Sequence, residues 1–86
     1  MNNYLVRDKL EILFKNTFSI KDKDISKASQ NNLKNWDSIN HMNLILAIEK
    51  EFDITLDNND VIKLSDFRSC FQLIKNKLVL FLIFLS

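Results

Sequence analysis

Residues 33–52 read LKNWDSINHMNLILAIEKEF. At Asp37-Ser38 a polar loop gives way to apolar residues at helical spacing, which predicts a helix from Ser38 to about Glu51. The apolar positions cover more than one narrow stripe, so we expect this helix to be buried on two sides, at the centre of a small bundle. Asp and Ser both cap helix starts well, and one helix needs only one cap. The second polar residue at this start therefore needs another explanation.

Further helices are predicted on both sides of this one. The first runs from about Asn3 to Asn16, and a short one lies near residues 58–62. The last follows Ser65 as its N-cap and ends near Lys77, because cations are favoured at helix C-termini. The predicted fold class is therefore all-α: a small four-helix bundle of three main helices plus one short helix. It would form one domain over residues 1–77, followed by an apolar extension over residues 78–86.

The connections have an unusual composition. The polar connection at residues 19–35 is seventeen residues long, which exceeds usual loop lengths, so we expect a function or a short helical turn within it. The chain contains no Gly and no Pro, the residues best suited to turns. Because Asn tolerates left-handed backbone angles, we expect the Asn pairs at 31–32 and 58–59 to supply them.

The composition of the 86 residues indicates one folded domain with a modest core, too small for an active-site cleft between lobes. A net charge of +1 gives no support for binding nucleic acid. Residues 37–66, however, carry seven acidic and two basic residues, whereas residues 67–86 carry three basic residues and no acidic one. The acidic middle suggests a surface for a basic partner, and ordinary solvated helix faces explain it equally well.

Cysteine usage and the termini bear on the compartment. A lone Cys70 excludes an intramolecular disulfide, and no signal peptide is visible, so we expect a cytoplasmic protein. Residues 78–85 read LVLFLIFL, far short of the roughly 20 residues that a membrane-spanning helix needs. Contact of Leu78–Leu85 with a membrane surface is one reading. We favour an extension of the last helix that packs on the bundle or on another copy, because the run has no basic amphipathic face.

Catalytic and metal sites find little support. Asp37, Ser38 and His41 are the ingredients of a hydrolytic triad, but adjacent side chains at a helix start diverge, and no Gly-rich turn exposes the nucleophile. We therefore expect a protein that is not an enzyme. The segment Asp22–Ser26 has the spacing of a calcium loop but lacks the turn Gly and the bidentate Glu, and single Cys and His residues are too few for zinc.

Ser38 would lie at a favourable place for a phosphate group. Free backbone N–H groups and the positive end of the helix dipole meet there, so an esterified hydroxyl would be well accommodated. Asp37 would then cap the helix or help to hold an incoming transferase. Asp-Ser is common before helices, so this pair alone does not identify a function.

The wider stretch resembles the acyl carrier protein family. Asp37, Ser38 and Ile39 match the Asp-Ser-Leu motif of that family, with Ile as the departure. The segment IEKEF at 48–52 is similar to the acidic end of the family's second helix, and KLSDFRSCFQLI at 63–74 is similar to the segment leading into its last helix. The resemblance covers roughly residues 3–77.

This resemblance implies a phosphopantetheine arm on Ser38, attached from coenzyme A by a separate phosphopantetheinyl transferase, with Asp37 and Ile39 beside it. Acyl groups would be bound to the arm's thiol as thioesters. They would be transferred between acyl-loading and acyl-using enzymes that bind the second helix. The residues expected to meet these partners are Asn40, His41, Asn43 and Glu49. The residues expected to line an acyl-chain pocket, with ordinary core as an equal alternative, are Met42, Ile45, Leu46, Ile62 and Phe67.

Two features leave the pathway and the function open. Family members usually carry carboxylates where this chain has Asn40 and Asn43, so its partners gain less electrostatic attraction. That departure favours a specialised lipid, polyketide or surface-polysaccharide pathway over bulk fatty-acid synthesis. The cargo could instead be an aminoacyl or D-alanyl unit. A different alternative is a small helical adaptor with no prosthetic group, and only the carrier requires the Ser38 hydroxyl.

Overall fold

The computed structural model describes the backbone of residues 3–85 and the side-chain surroundings of residues 4–79. Within that range the chain forms four α-helices and one 3-10 helix, and no strand. These elements are α1 (Asn3–Phe18), the 3-10 helix (Asp22–Lys27), α2 (Ser38–Phe52), α3 (Asn58–Lys63) and α4 (Phe67–Leu85). The predicted all-helical class is confirmed, and so is a helical turn within the long connection.

The core lies where α1 meets α2 and α4. The buried residues of α1 recur every fourth position and therefore share one face; they are Val6, Leu10, Phe14 and Phe18. The core residues of the other two long helices are Leu44, Ile45, Ile48 and Phe52 on α2 and Phe67, Cys70 and Ile74 on α4. Each fully buried large apolar side chain contributes roughly 1.5–3 kcal/mol relative to exposure, so this interface supplies most of the driving force for folding.

The central helix is α1, which packs against α2, α4 and the 3-10 helix. A second apolar stripe of α2 lies at the surface, where Ile39, Met42 and Leu46 each expose more than half of their area. The expectation that α2 is buried on two sides was therefore wrong. A hydrophobic pattern shows which positions are apolar, but it does not show whether another element covers them.

The start of α4 differs from the prediction, whereas its end agrees with the favoured reading that residues 78–85 extend the last helix. The backbone N–H of Ser69 donates to Asp66 Oδ1 at 2.7 Å, so the cap is Asp66 and the prediction of Ser65 was wrong. The helix also continues past Lys77 to Leu85. Leu78 packs partly against the core and Val79 is exposed. The side chains of the rest of the apolar run lie outside the part of the chain that the structure describes, so neither their favoured packing on the bundle or on another copy nor the alternative contact with a membrane is tested.

The left-handed backbone angles fall on residues other than the predicted Asn pairs. Among the described residues, positive φ values occur at Ser19 (55°) and Asp53 (53°), directly after α1 and α2. The N–H of Ser19 donates to Lys15 O at 2.8 Å, which satisfies a carbonyl at the end of α1. The residues that follow α1 and α2 adopt this conformation although neither is Asn, so the prediction that the Asn pairs at 31–32 and 58–59 supply it was wrong.

An ion pair ties α3 to α4. Asp57 and Asp60 form a capping box at the start of α3, and Lys77 Nζ lies 2.8 Å from Asp60 Oδ2. The hydrogen bond from Lys77 lowers the pKa of Asp60 below its ordinary value of 3.8, although burial opposes this change. The same bond raises the pKa of Lys77. Both groups are therefore charged at neutral pH, and α3 is held against the middle of α4.

One further finding concerns membranes. No helix within the described residues is long and apolar enough to cross a bilayer.

Candidate functional site

The start of α2 is organised by Asp37. Its backbone is extended, its side-chain Oδ1 accepts a hydrogen bond from Asn40 N at 2.8 Å, and its carbonyl accepts from His41 N at 2.8 Å. This is the geometry of an N-cap residue, which satisfies backbone donors that the helix itself leaves unpaired. The prediction that Asp37 caps α2 is confirmed.

Ser38 is the first residue of α2 and is exposed. Among the described residues, none forms a hydrogen bond with its hydroxyl, and none accepts from the N–H of Ser38 or of Ile39. The hydroxyl borders an open depression of about 420 Å³, whose lining residues are Gln30, Trp36, Asp37, Ser38 and His41. Ser38 therefore presents a free hydroxyl beside two free backbone donors at the positive end of a fifteen-residue helix.

Trp36 and His41 form a hydrogen-bonded relay next to this serine. Trp36 Nε1 donates to His41 Nδ1 at 2.9 Å, and His41 Nε2 lies 3.0 Å from Val61 O. Because an indole nitrogen can only donate, Nδ1 must be the acceptor, which places the imidazole proton on Nε2. The relay therefore links the loop before Ser38, the first turn of α2 and the end of α3. Neither ring nitrogen of His41 is bonded to Ser38.

Trp36 itself is buried and closes the aromatic part of the core. Its ring stacks on Phe18 with centroids 4.7 Å apart and meets the edge of Phe14 at 5.6 Å. Aromatic pairs at these distances contribute about 0.5–1.5 kcal/mol beyond their buried area. The entry of the chain into α2 is therefore fixed by the core on one side of Trp36 and by His41 on the other.

Three of the four residues predicted to meet partners also hold the fold together. Asn40 Nδ2 donates to Asn35 O at 2.8 Å, and Glu49 Oε2 accepts from Leu56 N at 2.9 Å. His41 holds Val61 O, as described above. Asn43 is exposed, and within the part of the chain that the structure describes its side chain bonds only to the side chain of Asn40, through Nδ2 to Oδ1 at 3.3 Å. The prediction that these residues contact partners stays a prediction.

The five residues predicted to line an acyl pocket occupy two different environments. Met42, Leu46 and Ile62 each expose more than half of their area. Ile45 and Phe67 lie in the core, where Phe67 meets Phe14 edge-on with centroids 5.1 Å apart. Three of the five residues therefore lie on the exposed faces of α2 and α3, and the pocket itself stays a prediction.

Within the described part of the chain, Cys70 and the acidic residues form neither a reactive thiol site nor a metal site. Burial raises the pKa of the Cys70 thiol, with a further contribution from the charge of Asp66, so the thiol is neutral. Among the described residues there is no group of three His, Cys, Asp or Glu side chains that could hold a metal ion.

Sequence reasoning missed two contributors to the site. Gln30 lines the depression and is held by bonds from its N–H to Ser65 O at 2.9 Å and from its Nε2 to Leu64 O at 3.3 Å. Asn35 donates from Nδ2 to Phe18 O at 2.8 Å while its carbonyl accepts from Asn40. Both act through backbone carbonyls of distant segments, which no residue pattern reveals.

No protein-family model matches the chain, and no curated protein matches it significantly. The resemblance to the acyl carrier protein family therefore depends on the residues quoted under Sequence analysis alone.

Proposed function

We propose that this chain is an acyl carrier protein that holds its cargo on a phosphopantetheine arm esterified to Ser38. The observation that carries the proposal is that, of the two polar residues at the start of α2, only Asp37 is used to cap the helix. Asp37 alone caps the helix, and the adjacent Ser38 hydroxyl is exposed without a bonding partner among the described residues. A serine in this position has no structural task, and its hydroxyl is free to be modified.

The surroundings of Ser38 fit a phosphodiester. The N–H groups of Ser38 and Ile39 have no acceptor among the described residues, and the helix dipole favours negative charge here by about 0.3–1 kcal/mol. The Asp37 carboxylate opposes a second negative charge, but its Oδ1 is engaged with Asn40 N. The depression beside Ser38 leaves the hydroxyl approachable by a transferase.

Attachment is a phosphoryl-transfer reaction in which Ser38 is the acceptor. Its Oγ attacks the phosphorus that bears the pantetheine of coenzyme A, the pyrophosphate P–O bond breaks, and the nucleotide bisphosphate leaves. The serine proton must pass to a base. Both ring nitrogens of His41 are held by Trp36 and Val61, so the transferase supplies that base. Once attached, the arm supplies the thiol on which acyl groups are carried.

The exposed apolar surface beside Ser38 is the proposed contact for loading and receiving enzymes. It consists of Ile39, Met42 and Leu46 on α2 together with Ile62 on α3, all more than half exposed. Residues 37–66 carry a net charge of −5, from seven acidic and two basic residues, so a partner with a basic rim around an apolar patch fits this surface.

That same surface is the observation that favours the second candidate. An adaptor without a prosthetic group would use Ile39, Met42, Leu46 and Ile62 to bind one partner and would have no need for a free hydroxyl at Ser38. A carrier of aminoacyl or D-alanyl groups would attach its phosphopantetheine arm to Ser38, just as an acyl carrier would.

The deciding experiment is modification in vitro. The purified protein is incubated with coenzyme A and a broad-specificity phosphopantetheinyl transferase, and intact-protein mass spectrometry follows the reaction. We expect the mass to rise by one phosphopantetheine in the wild type and in Ser65→Ala, which removes another exposed hydroxyl. We expect no rise in Ser38→Ala.

Folding must be shown to be equal for the comparison to count. Circular dichroism of all three proteins checks this, and Ser38→Ala should fold normally because the hydroxyl bonds to none of the described residues. Failure of the folded wild type to gain mass with several transferases of differing specificity would favour the adaptor.

A further inference from the structure

A second cleft lies away from the Ser38 depression, between α1, the 3-10 helix and α4. Its volume is about 190 Å³, and its lining residues are Arg7, Ser26, Phe67, Arg68 and Phe71. It shares no lining residue with the depression at Ser38. Small-molecule sites usually enclose roughly 300–1,000 Å³, so this cleft has room for a side chain rather than for a cofactor.

Both arginines of the chain line this cleft. The sequence contains two arginines against ten lysines, and the two lie 61 residues apart on different helices, at Arg7 and Arg68. Arginine differs from lysine in presenting a planar fork of donors that binds a carboxylate through two parallel hydrogen bonds. Their convergence on one cleft indicates a site for an anionic group with that geometry.

The donors of both guanidinium groups are largely available. Arg7 uses its Nε in a bond to Glu11 Oε1 at 3.2 Å, and its two Nη groups have no partner among the described residues. Arg68 is exposed and forms no ion pair or hydrogen bond within the same part of the chain. Glu11 offsets some of the positive charge, and the cleft keeps an excess of one cation.

Apart from Ser26, the remaining lining residues of the cleft are aromatic. Phe67 and Phe71 stack with centroids 6.4 Å apart and an interplanar angle of 10°, and Phe71 is only partly buried. Lys75 Nζ lies 4.8 Å from the centre of the Phe71 ring, which adds a third cation next to the cleft. An apolar floor with cations around it suits a group that is apolar in its body and negative at its end.

We propose that this cleft docks an acidic segment of a partner protein in which a carboxylate neighbours an aromatic side chain. The aromatic ring packs on Phe67 and Phe71, and the carboxylate bonds to Arg7 and Arg68. This contact is independent of the modification at Ser38. Its preference for a negatively charged partner is also opposite to that of the apolar surface beside Ser38, which lies in the acidic segment 37–66, so the two surfaces suit two different partners.

The test uses the full chain, labelled with ¹⁵N, and follows backbone amide shifts on addition of short peptides. The probe is acetyl-Phe-Asp-Glu-amide. The neutral peptide acetyl-Phe-Asn-Gln-amide removes the charge, acetyl-Ala-Asp-Glu-amide removes the ring, and inorganic phosphate tests a simple anion. We expect the probe to shift the amides of Arg7, Ser26, Phe67, Arg68 and Phe71, with binding about tenfold weaker for either altered peptide.

Two double variants isolate the arginines. Arg7→Gln with Arg68→Gln should abolish the shifts, whereas Lys21→Gln with Lys23→Gln makes the same change in net charge outside the cleft and should preserve them. All four positions are exposed, so both variants should fold. The proposal is overturned if the probe shifts no cleft amide, if the neutral peptide binds equally well, if both double variants weaken binding alike, or if phosphate alone reproduces the shifts.

Discussion

His41 gives the sharpest test of how the site is built, because each of its ring nitrogens serves a different segment. Nδ1 accepts from Trp36 and Nε2 donates to Val61 O. Truncation by His41→Ala leaves both partners without their bond. We expect this variant to unfold more easily while α2 itself persists, since the capping bond from Asn40 N to Asp37 Oδ1 is untouched.

The size of the effect follows from the burial of the partners. A buried polar group that loses its only partner costs about 1–3 kcal/mol. Trp36 is only 7% exposed whereas Val61 is partly exposed, so Trp36 is the more buried of the two partners. We therefore expect a loss of about 2–3 kcal/mol for His41→Ala, most of it from the orphaned indole.

Two near-isosteric substitutions divide this loss. In His41→Asn the amide oxygen replaces Nδ1 as the acceptor for Trp36, and the bond to Val61 is lost. In His41→Gln the amide nitrogen replaces Nε2 as the donor to Val61, and the bond from Trp36 is lost. Since the indole is the more buried partner, we expect His41→Asn to be less destabilising than His41→Gln by about 1 kcal/mol.

Urea unfolding followed by far-ultraviolet circular dichroism measures the three free energies, and the indole N–H resonance of Trp36 reports its bond directly. Trp36→Phe removes the donor, so in that background His41→Gln loses neither bond and its cost should fall below that of His41→Asn, which still loses the bond to Val61 O. Equal costs for Asn and Gln in the wild-type background, or an indole resonance that does not respond to His41→Gln, would refute the relay.

Three further predictions concern the frame around the site. Lys77→Met should cost about 2 kcal/mol at neutral pH, because Asp60 loses its partner in a pair whose side chains are 10% and 28% exposed. The pKa of Asp60 is lowered, so the ion pair stabilises the fold above about pH 3.8, and this stabilisation is lost as the pH falls further. The free energies of unfolding in urea of the wild type and of Lys77→Met should therefore become equal in acid. The pKa of Lys77 is raised, so the same stabilisation should also fade in alkali above about pH 10.5. Asp37→Ala should cost about 1 kcal/mol in the same assay through loss of the cap, and an unchanged midpoint would contradict its capping role. Ser19→Gly and Asp53→Gly should each raise the free energy of unfolding by about 0.5 kcal/mol, because glycine accepts a positive φ without strain; a lower midpoint would contradict this.

The helices could be predicted from the sequence because their signals are local. The Asp-Ser pair placed the start of α2 at Ser38, apolar spacing placed α1 and most of α4, and the break in the apolar pattern after α2 left room for the short α3. Prediction failed where tertiary context decides. The exposed face of α2 depends on where α1 packs, and the N-cap of α4 is Asp66 and not Ser65.

The polar residues of α2 show a second limit. Asn40, His41 and Glu49 were predicted as partner contacts because they lie on the recognition helix of a carrier-like pattern. In the structure their side chains satisfy backbone groups of Asn35, Val61 and Leu56. A chain without Gly or Pro must hold its connections by other means, and side chains that bond to distant backbone groups do so here. Only coordinates reveal such pairs.

These assignments explain why Ser38 is the informative position for function. Around it, Trp36, Asp37, Asn40 and His41 are all engaged in hydrogen bonds that hold the fold, so a change at any of them alters stability together with any partner contact. Ser38 is exposed and has no bonding partner among the described residues, so its hydroxyl can be removed while the frame stays intact. The groups that stabilise the start of α2 and the hydroxyl proposed to carry the cargo are thus different atoms of the same helix turn. A loss of modification in folded Ser38→Ala therefore reports on the chemistry of the hydroxyl and not on the folding of the site.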